Sequence, residues 1–236
     1  MNVQIWFVDT QNDFMREDGA LFVQGSHYAS EQLYSLREAA TAFGVRAVYT
    51  QDFHAMNDPE LSDKPDFKTT FPPHCIGGTR GADFINEVYN GPSHDCRIIS
   101  PEDDLADILM TNDDLDEFFE KDVILTKHIF STFDGNKNAE TFVELTRPDI
   151  VFICGVAGDV CVKAVVEGFQ DMNETLKSLD DEPIKICVVS DAIASINQGV
   201  TNDLFGNLEA EDNGFVVDVN YVWDFLQMTA KFRGTL

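Results

Sequence analysis

Positive charge is what this chain has least of: 16 Lys and Arg stand against 42 Asp and Glu, a formal net charge of −26. So acidic a surface repels phosphate backbones and anionic lipids, which argues against nucleic-acid and membrane partners. Long apolar runs are missing too, and none approaches the ~20 residues of a membrane span. The apolar start at 1–8 runs straight into Asp9 with no basic leader or cleavage site, so no signal peptide is expected. The five cysteines include no Cys-x-x-Cys pair. An odd count without such pairs speaks against a disulfide framework and for reduced thiols in a cytoplasm. Repeats and Pro/Gly/Ser-rich linkers are also absent, and 236 residues with 44% hydrophobic content suffice for one core, so a single domain over 1–236 is expected.

What is present begins with an uneven distribution of charge. In the stretch 101–122, ten acidic residues from Glu102 to Asp122 face a single Lys121. An interaction surface or adaptation to a salty interior would fit, but a solvated helical face and loop is the simpler reading. Along the whole chain, apolar runs of strand length alternate with amphipathic stretches. Strands are expected near 3–8, 46–50, 97–100, 123–126, 150–154, 185–190 and 215–219. Helices are expected near 29–43, 81–89, 115–120, 139–146, 159–173, 200–209 and 221–231. Near-continuous apolar strands separated by helices mark a parallel sheet covered on both faces. In such a sheet the reactive groups gather at the carboxyl ends of the strands.

Three of those ends carry reactive side chains. The stretch 149–166 reads as a buried strand, a glycine-rich turn and a helix with Cys161 in its first turn. Unpaired N–H groups and the positive end of the helix dipole there favour a thiolate and could hold an oxyanion. Taken alone, Cys161 reads more readily as a small buried hydrophobe. The first strand ends at Asp9, and the 123–126 strand delivers Lys127. Singly these are a turn residue and a surface lysine; together with a thiol they can deprotonate it, steady the thiolate and protonate a leaving amine. A fourth end adds Asp52 and His54, two residues apart and so on one face of an extended chain, with His74 on a proline-stiffened loop. Two imidazoles and a carboxylate suit Zn²⁺, Mn²⁺ or Fe²⁺. His27, His94 and His128 are given no role. The turns at 77–81 and 155–158 invite a phosphate reading, but neither forms Gly-x-Gly-x-x-Gly or a P-loop.

With these residues in view, the chain resembles a nicotinamidase-type member of the isochorismatase-like cysteine hydrolases. The likeness runs from Val8-Asp-Thr-Gln-Asn-Asp-Phe14 through Gln51-Asp-Phe-His54, Phe71-Pro-Pro-His-Cys-Ile-Gly-Gly-Thr-Arg-Gly-Ala82 and Lys127 to Gly155-Val-Ala-Gly-Asp-Val-Cys-Val162. It implies a three-layer α/β/α domain with a mostly parallel, doubly wound sheet of about six strands. It implies that Asp9 is the general base, Lys127 the cation beside the nucleophile and Cys161 the nucleophile. A cis peptide at Val156–Ala157 would turn the amides of Ala157 and Cys161 into an oxyanion hole. Asp52, His54 and His74 fall on the metal positions of nicotinamidases, zinc being the leading choice, and no organic cofactor is implied. Phe14, Phe71, Phe130 and Phe133 would wall the substrate ring. The implied activity is hydrolysis of a small carboxamide, nicotinamide first, through a cysteine thioester, which would place the enzyme in NAD metabolism. The implied partner is a small-molecule amide, with room for a homo-oligomer.

Several positions depart from the pattern. Phe71 stands where tryptophan is usual, Asn57-Asp-Pro-Glu-Leu61 replaces the usual stretch after the metal histidine, and Gly158 and Val160 replace threonine and tyrosine. Glu60, Asp63 and Asp66 are open choices for a fourth metal ligand. Other small amides, N-carbamoyl compounds and vinyl ethers therefore remain alternative substrates, and a non-catalytic scaffold on the same fold a second alternative.

Overall fold

The computed structural model describes residues 1–89, 96–111, 121–210 and 214–233. Seven strands form one sheet: β1 (Val3–Val8), β2 (Arg46–Asp52), β3 (Arg97–Ile99), β4 (Val123–Lys127), β5 (Ile150–Gly155), β6 (Lys185–Ile193) and β7 (Gly214–Val217). All seven fall where strands were expected, one more than the about six that the resemblance implies. Their order is β3-β4-β2-β1-β5-β6-β7, and every pairing is parallel. From β1 the chain lays β2, β3 and β4 on one side, with β4 between β2 and the edge strand β3, and then β5, β6 and β7 on the other, so the direction of winding reverses between β1 and β5. At such a switch point the loops after neighbouring strands part and leave a crevice.

β1 is buried along its entire length. Because side chains alternate along a strand, Ile5 and Phe7 enter the core on one face of the sheet while Trp6 and Val8 enter the core on the other. The first face is covered by the Ser26–Phe43 and Val219–Arg233 helices, through Leu33, Leu36, Val222 and Leu226. The second is covered by the Ala139–Thr146, Cys161–Ser178 and Gln198–Glu209 helices, through Phe142, Val165, Phe169 and Leu204. This is the three-layer arrangement that the apolar strand runs require, since neither face of the sheet could stay in water.

One expected helix turns out differently. The 81–89 stretch holds only a short 3-10 turn, Arg80–Ala82, followed by further turns. Its backbone is committed elsewhere: Asp83 C=O accepts from Asn12 N–H, Ile85 N–H donates to Thr10 C=O, and Phe84 bridges Gln11. These long-range bonds to the loop after β1 override the local helical pattern. The expected 115–120 helix and much of the acidic run lie outside the described residues. Earlier in that run, Leu105–Thr111 is a helix that periodicity did not reveal. None of the five cysteines forms a disulfide. Among the described residues no helix is long and apolar enough to cross a membrane.

Candidate active site

The sheet order sets β4, β2, β1 and β5 side by side, and each delivers one group to a common edge. Lys127 ends β4 and is in register with Asp52 at the end of β2. Asp9 follows β1 directly, in a left-handed conformation (φ 48°) that turns the chain out of the sheet. Cys161 opens the helix after β5. All four side chains are buried, Lys127 and Asp9 completely.

A buried ammonium needs partners, and Lys127 has two: Nζ lies 2.9 Å from Asp9 Oδ2 and in closer contact with Asp52 Oδ1. Asp9 is held further by Thr50, whose hydroxyl donates to Oδ1 at 2.6 Å and accepts from the Asp9 N–H at 3.2 Å. Burial opposes ionisation at Asp52, yet Lys127 and the neighbouring histidines outweigh it and hold its carboxyl well below the usual range. At Asp9 burial wins over the pull of Lys127, helped by the Asp52 charge, and the carboxyl is pushed up. Burial disfavours the charged form of Lys127 as well, but Asp52 and Asp9 together keep it an ammonium. Burial and Asp9 push the Cys161 thiol well up, against the opposing pull of Lys127. These effects run against the thiolate bias expected of the helix start and favour the thiol form of Cys161, whose Sγ lies within 4.8 Å of an Asp9 carboxylate oxygen.

The turn before Cys161 contains a cis peptide at Val156–Ala157. Its backbone hydrogen bonds use the N–H groups of Gly158, Val160 and Val162. Among the described residues, the amides of Ala157 and Cys161 have no such partner. Gly158 also explains a departure. A Cβ there would lie 2.4 Å from Ser195 Oγ and 2.9 Å from Thr201 Oγ1, two hydroxyls joined by a 2.8 Å hydrogen bond. Those hydroxyls occupy the space a side chain at 158 would need.

On the far side of Asp52 a second cluster converges. One atom each of Asp52, His54, Glu60 and His74 lies within 4.8 Å of the others, and all four residues are buried. Asp52 Oδ2 is 3.5 Å from His74 Nε2 and 3.9 Å from His54 Nε2. His74 turns Nδ1 to Pro72 C=O at 2.7 Å, which leaves Nε2 facing the cluster. His54 Nε2 and Glu60 Oε1 are buried without any hydrogen-bond partner among the described residues. Two orphaned lone pairs beside a carboxylate and a second imidazole are a poor resting arrangement and a good set of donors for a divalent cation. The charge agrees, since Lys127 offsets only one of the two carboxylates it touches. Glu60 was one of three open choices from sequence. Its Oε2 accepts the Phe130 N–H at 2.7 Å, and burial pushes its carboxyl up to about 7. Asp63 and Asp66 are exposed, and Asp66 takes the N–H groups of Lys68, Thr69 and Thr70 in its own loop.

Between the clusters opens a small cavity. Asp52, Glu60, His74, Ala157 and Cys161 supply its reactive lining, while Phe14, Phe71, Phe130, Leu21, Val23, Val160 and Ile196 make apolar walls. Phe133 is a correction. It stacks on Trp6 and meets Phe169 edge-on, so it belongs to the core under the site. Leu21, Val23 and Ile196 were missed, for no local pattern marks them. Ile196 is brought over the mouth by Asp159, whose carboxylate accepts the N–H groups of Ile196 (2.9 Å) and Asn197 (2.8 Å).

The 77–81 turn is no phosphate cradle. A Cβ at Gly81 would lie 2.2 Å from Asp13 Oδ2, a carboxylate that would repel an anion and that instead accepts the Cys75 N–H at 2.7 Å. Asp13 thereby ties the loop of His74 to the loop after β1. Gln11 adds a second tie: its amide donates to Asp52 C=O and Ala82 C=O and accepts from Asp52 N–H.

The same architecture recurs in known proteins. An isochorismatase-like hydrolase from Alkaliphilus metalliredigens superposes with a TM-score of 0.66 at 21% identity, covering 97% of this chain and 99% of that one. The fold is isochorismatase-like. Within it, a pyrazinamidase of Pyrococcus horikoshii, solved in complex with zinc, superposes with a TM-score of 0.62 at 21% identity over 92% of this chain and 99% of its own. In sequence, the chain is 44% identical over 78 residues to the nicotinamidase/pyrazinamidase of Mycobacterium tuberculosis. That stretch spans 33% of this chain and 40% of the relative. No family model matches the chain. The isochorismatase-like sheet thus sets its crevice where Asp9, Lys127 and Cys161 meet.

Proposed function

We propose that the protein is an amidohydrolase that cleaves a small carboxamide, nicotinamide first, to the carboxylate and ammonia through a thioester on Cys161. The observation that carries this reading is the convergence of the Cys161 thiol, the Asp9 carboxylate and the Lys127 ammonium with a four-donor cluster at one sheet edge, where Cys161, Asp52, Glu60 and His74 line a cavity. Asp9 takes the thiol proton as sulfur adds to the carboxamide carbon, and Lys127 steadies the negative charge. The carbonyl oxygen becomes an oxyanion against the amides of Ala157 and Cys161. Asp9 returns the proton to the departing nitrogen, the C–N bond breaks and ammonia leaves. Water then adds to the thioester with Asp9 again as base, releasing the acid and restoring the thiol.

Asp52, His54, Glu60 and His74 would hold the cation, with Zn²⁺ first and Mn²⁺ or Fe²⁺ as alternatives. When bound, it supplies a positive anchor for a lone pair on the substrate, such as a ring nitrogen. Phe14, Phe71 and Phe130 would then flank the ring. The small-molecule substrate, the reducing cytoplasm and the single-domain organisation belong to the same reading. It fits a sheet whose strands span residues 3 to 217 and cysteines without disulfides.

Ammonia release from nicotinamide, compared with aliphatic amides and N-carbamoyl compounds, tests it. Turnover of nicotinamide that disappears in Cys161→Ala supports the reading. Preference for another compound class would move the substrate, and no turnover at all would sink the activity.

A further inference from the structure

Beyond the four donors, the loop after β2 carries a chain of polar contacts that catalysis does not use. We propose that Asp58 is the positioning residue of the cation site: its carboxylate takes the Nδ1–H of His54, so that Nε2 presents its lone pair inward. His128 and Glu102 brace Asp58 from outside. This rests on the reading of the four-donor cluster as a cation site.

The geometry runs outward from a buried ring. The His54 side chain is fully buried, and its Nδ1 lies 3.2 Å from Asp58 Oδ2. A neutral imidazole carries one N–H, so a proton directed at the carboxylate leaves Nε2 as the acceptor. Nε2 is the nitrogen that lacks a partner and lies 3.9 Å from Asp52 Oδ2. His74 reaches the same state by a different route, with Pro72 C=O as its brace. A carboxylate behind a ligating imidazole also raises its basicity, which a carbonyl does less strongly.

Asp58 is held in turn. The same oxygen accepts the Ala55 N–H at 2.9 Å, which fixes the carboxylate against the loop. His128 stands 3.4 Å from it through Nδ1, and that nitrogen also faces Phe53 C=O at 2.9 Å. On its other side, His128 Nε2 faces Glu102 Oε1 at 2.8 Å. Both ring nitrogens meet only acceptors, so His128 is best satisfied as an imidazolium between two carboxylates. The line His54, Asp58, His128, Glu102 therefore leads from the cation site to the surface, where the Glu102 side chain is 68% exposed.

Metal-stripped protein provides the test, with Zn²⁺ affinity read by competition against a chromophoric chelator and the His54 tautomer read from ¹⁵N shifts before metal is added. Asp58→Ala is expected to weaken Zn²⁺ binding by about 10–100-fold and to shift His54 away from the Nδ1–H form. Asp58→Asn keeps an oxygen acceptor and should recover most of both. Wild-type affinity together with an unchanged tautomer in Asp58→Ala would overturn the proposal. So would equal loss in Asp58→Ala and Asp58→Asn with the tautomer unmoved, because charge rather than orientation would then be acting. Should Asp58→Ala fail to fold, His128→Asn serves instead: a loss of about 2–10-fold is expected, and none would remove the brace. Wild-type protein that takes up no Zn²⁺ would overturn the cation reading itself, which is distinguishable because a failure at Asp58 alone leaves wild-type affinity intact.

Discussion

The two ends of the cavity are built differently. At one end Lys127 ends a strand and Asp9 follows one directly, held by the bonds among strands, while Cys161 opens the helix that follows β5 after a short turn. At the other, only Asp52 ends a strand; His54, Glu60 and His74 ride on loops joined by a few backbone bonds, such as His54 N–H to Cys75 C=O and Phe71 N–H to Glu60 C=O, and by side-chain ties through Asp13, Gln11, Asp58 and Glu60. Strand ends position groups through the backbone, where no single side chain is decisive. Loop donors depend on individual contacts and are open to single substitutions. Asp52 belongs to both ends, bonding Lys127 through Oδ1 and facing the imidazoles through Oδ2.

The separation of the ends is most sharply drawn by Cys161→Ala, which should lower turnover by about 10⁴-fold or more while leaving Zn²⁺ affinity as in the wild type. Ammonia release and chelator competition on one preparation read both, and joint loss would mean that the ends are not separable. Lys127→Met should break both ends together. Removing the ammonium leaves two buried carboxylates uncompensated, at a cost of about 3–5 kcal/mol in the midpoint of denaturant unfolding; a midpoint near wild type would show that water already reaches the pair. His54→Ala, or a strong chelator, should reduce kcat/KM by about 100-fold yet leave Cys161 open to alkylation by iodoacetamide. Activity unaffected by either would reduce the donor cluster to a packing feature. The smallest effect is expected at the mouth, where Ile196→Ala should raise KM for nicotinamide by about 3–10-fold with kcat held. A fall in kcat instead would place Ile196 nearer to the chemistry than the cavity wall.

The strand-end groups were legible before any coordinates because a polar residue directly after an apolar run is visible in one dimension. Asp9 and Lys127 could be named on that ground, Cys161 by its place in the first turn of a helix after a glycine-rich turn, and the Asp-x-His spacing exposed Asp52 and His54. Glu60 could only be offered beside Asp63 and Asp66, since the three differ in what the loop brings near and not in chemistry. Phe133 shows the converse error: four phenylalanines looked alike as wall residues, and only packing reveals that one of them lies against Trp6. His128 carried no signal, because its acceptors come from residues 53, 58 and 102. The helix expected at 81–89 failed for a related reason, its backbone being claimed by the loop after β1.

The order of apolar and amphipathic stretches by itself determined the parallel sheet, its two covered faces and the edge where reactive groups would collect, because burial and side-chain period are local properties of a chain. The tertiary structure alone decided the upward shift of the Cys161 thiol, the convergence of Glu60 on Asp52, His54 and His74, the membership of the cavity wall and the contact of Asp58 with His54. Each depends on which distant atoms share a desolvated space, and the strength of a charge or a hydrogen bond there is set by those neighbours rather than by the residue's own place in the sequence.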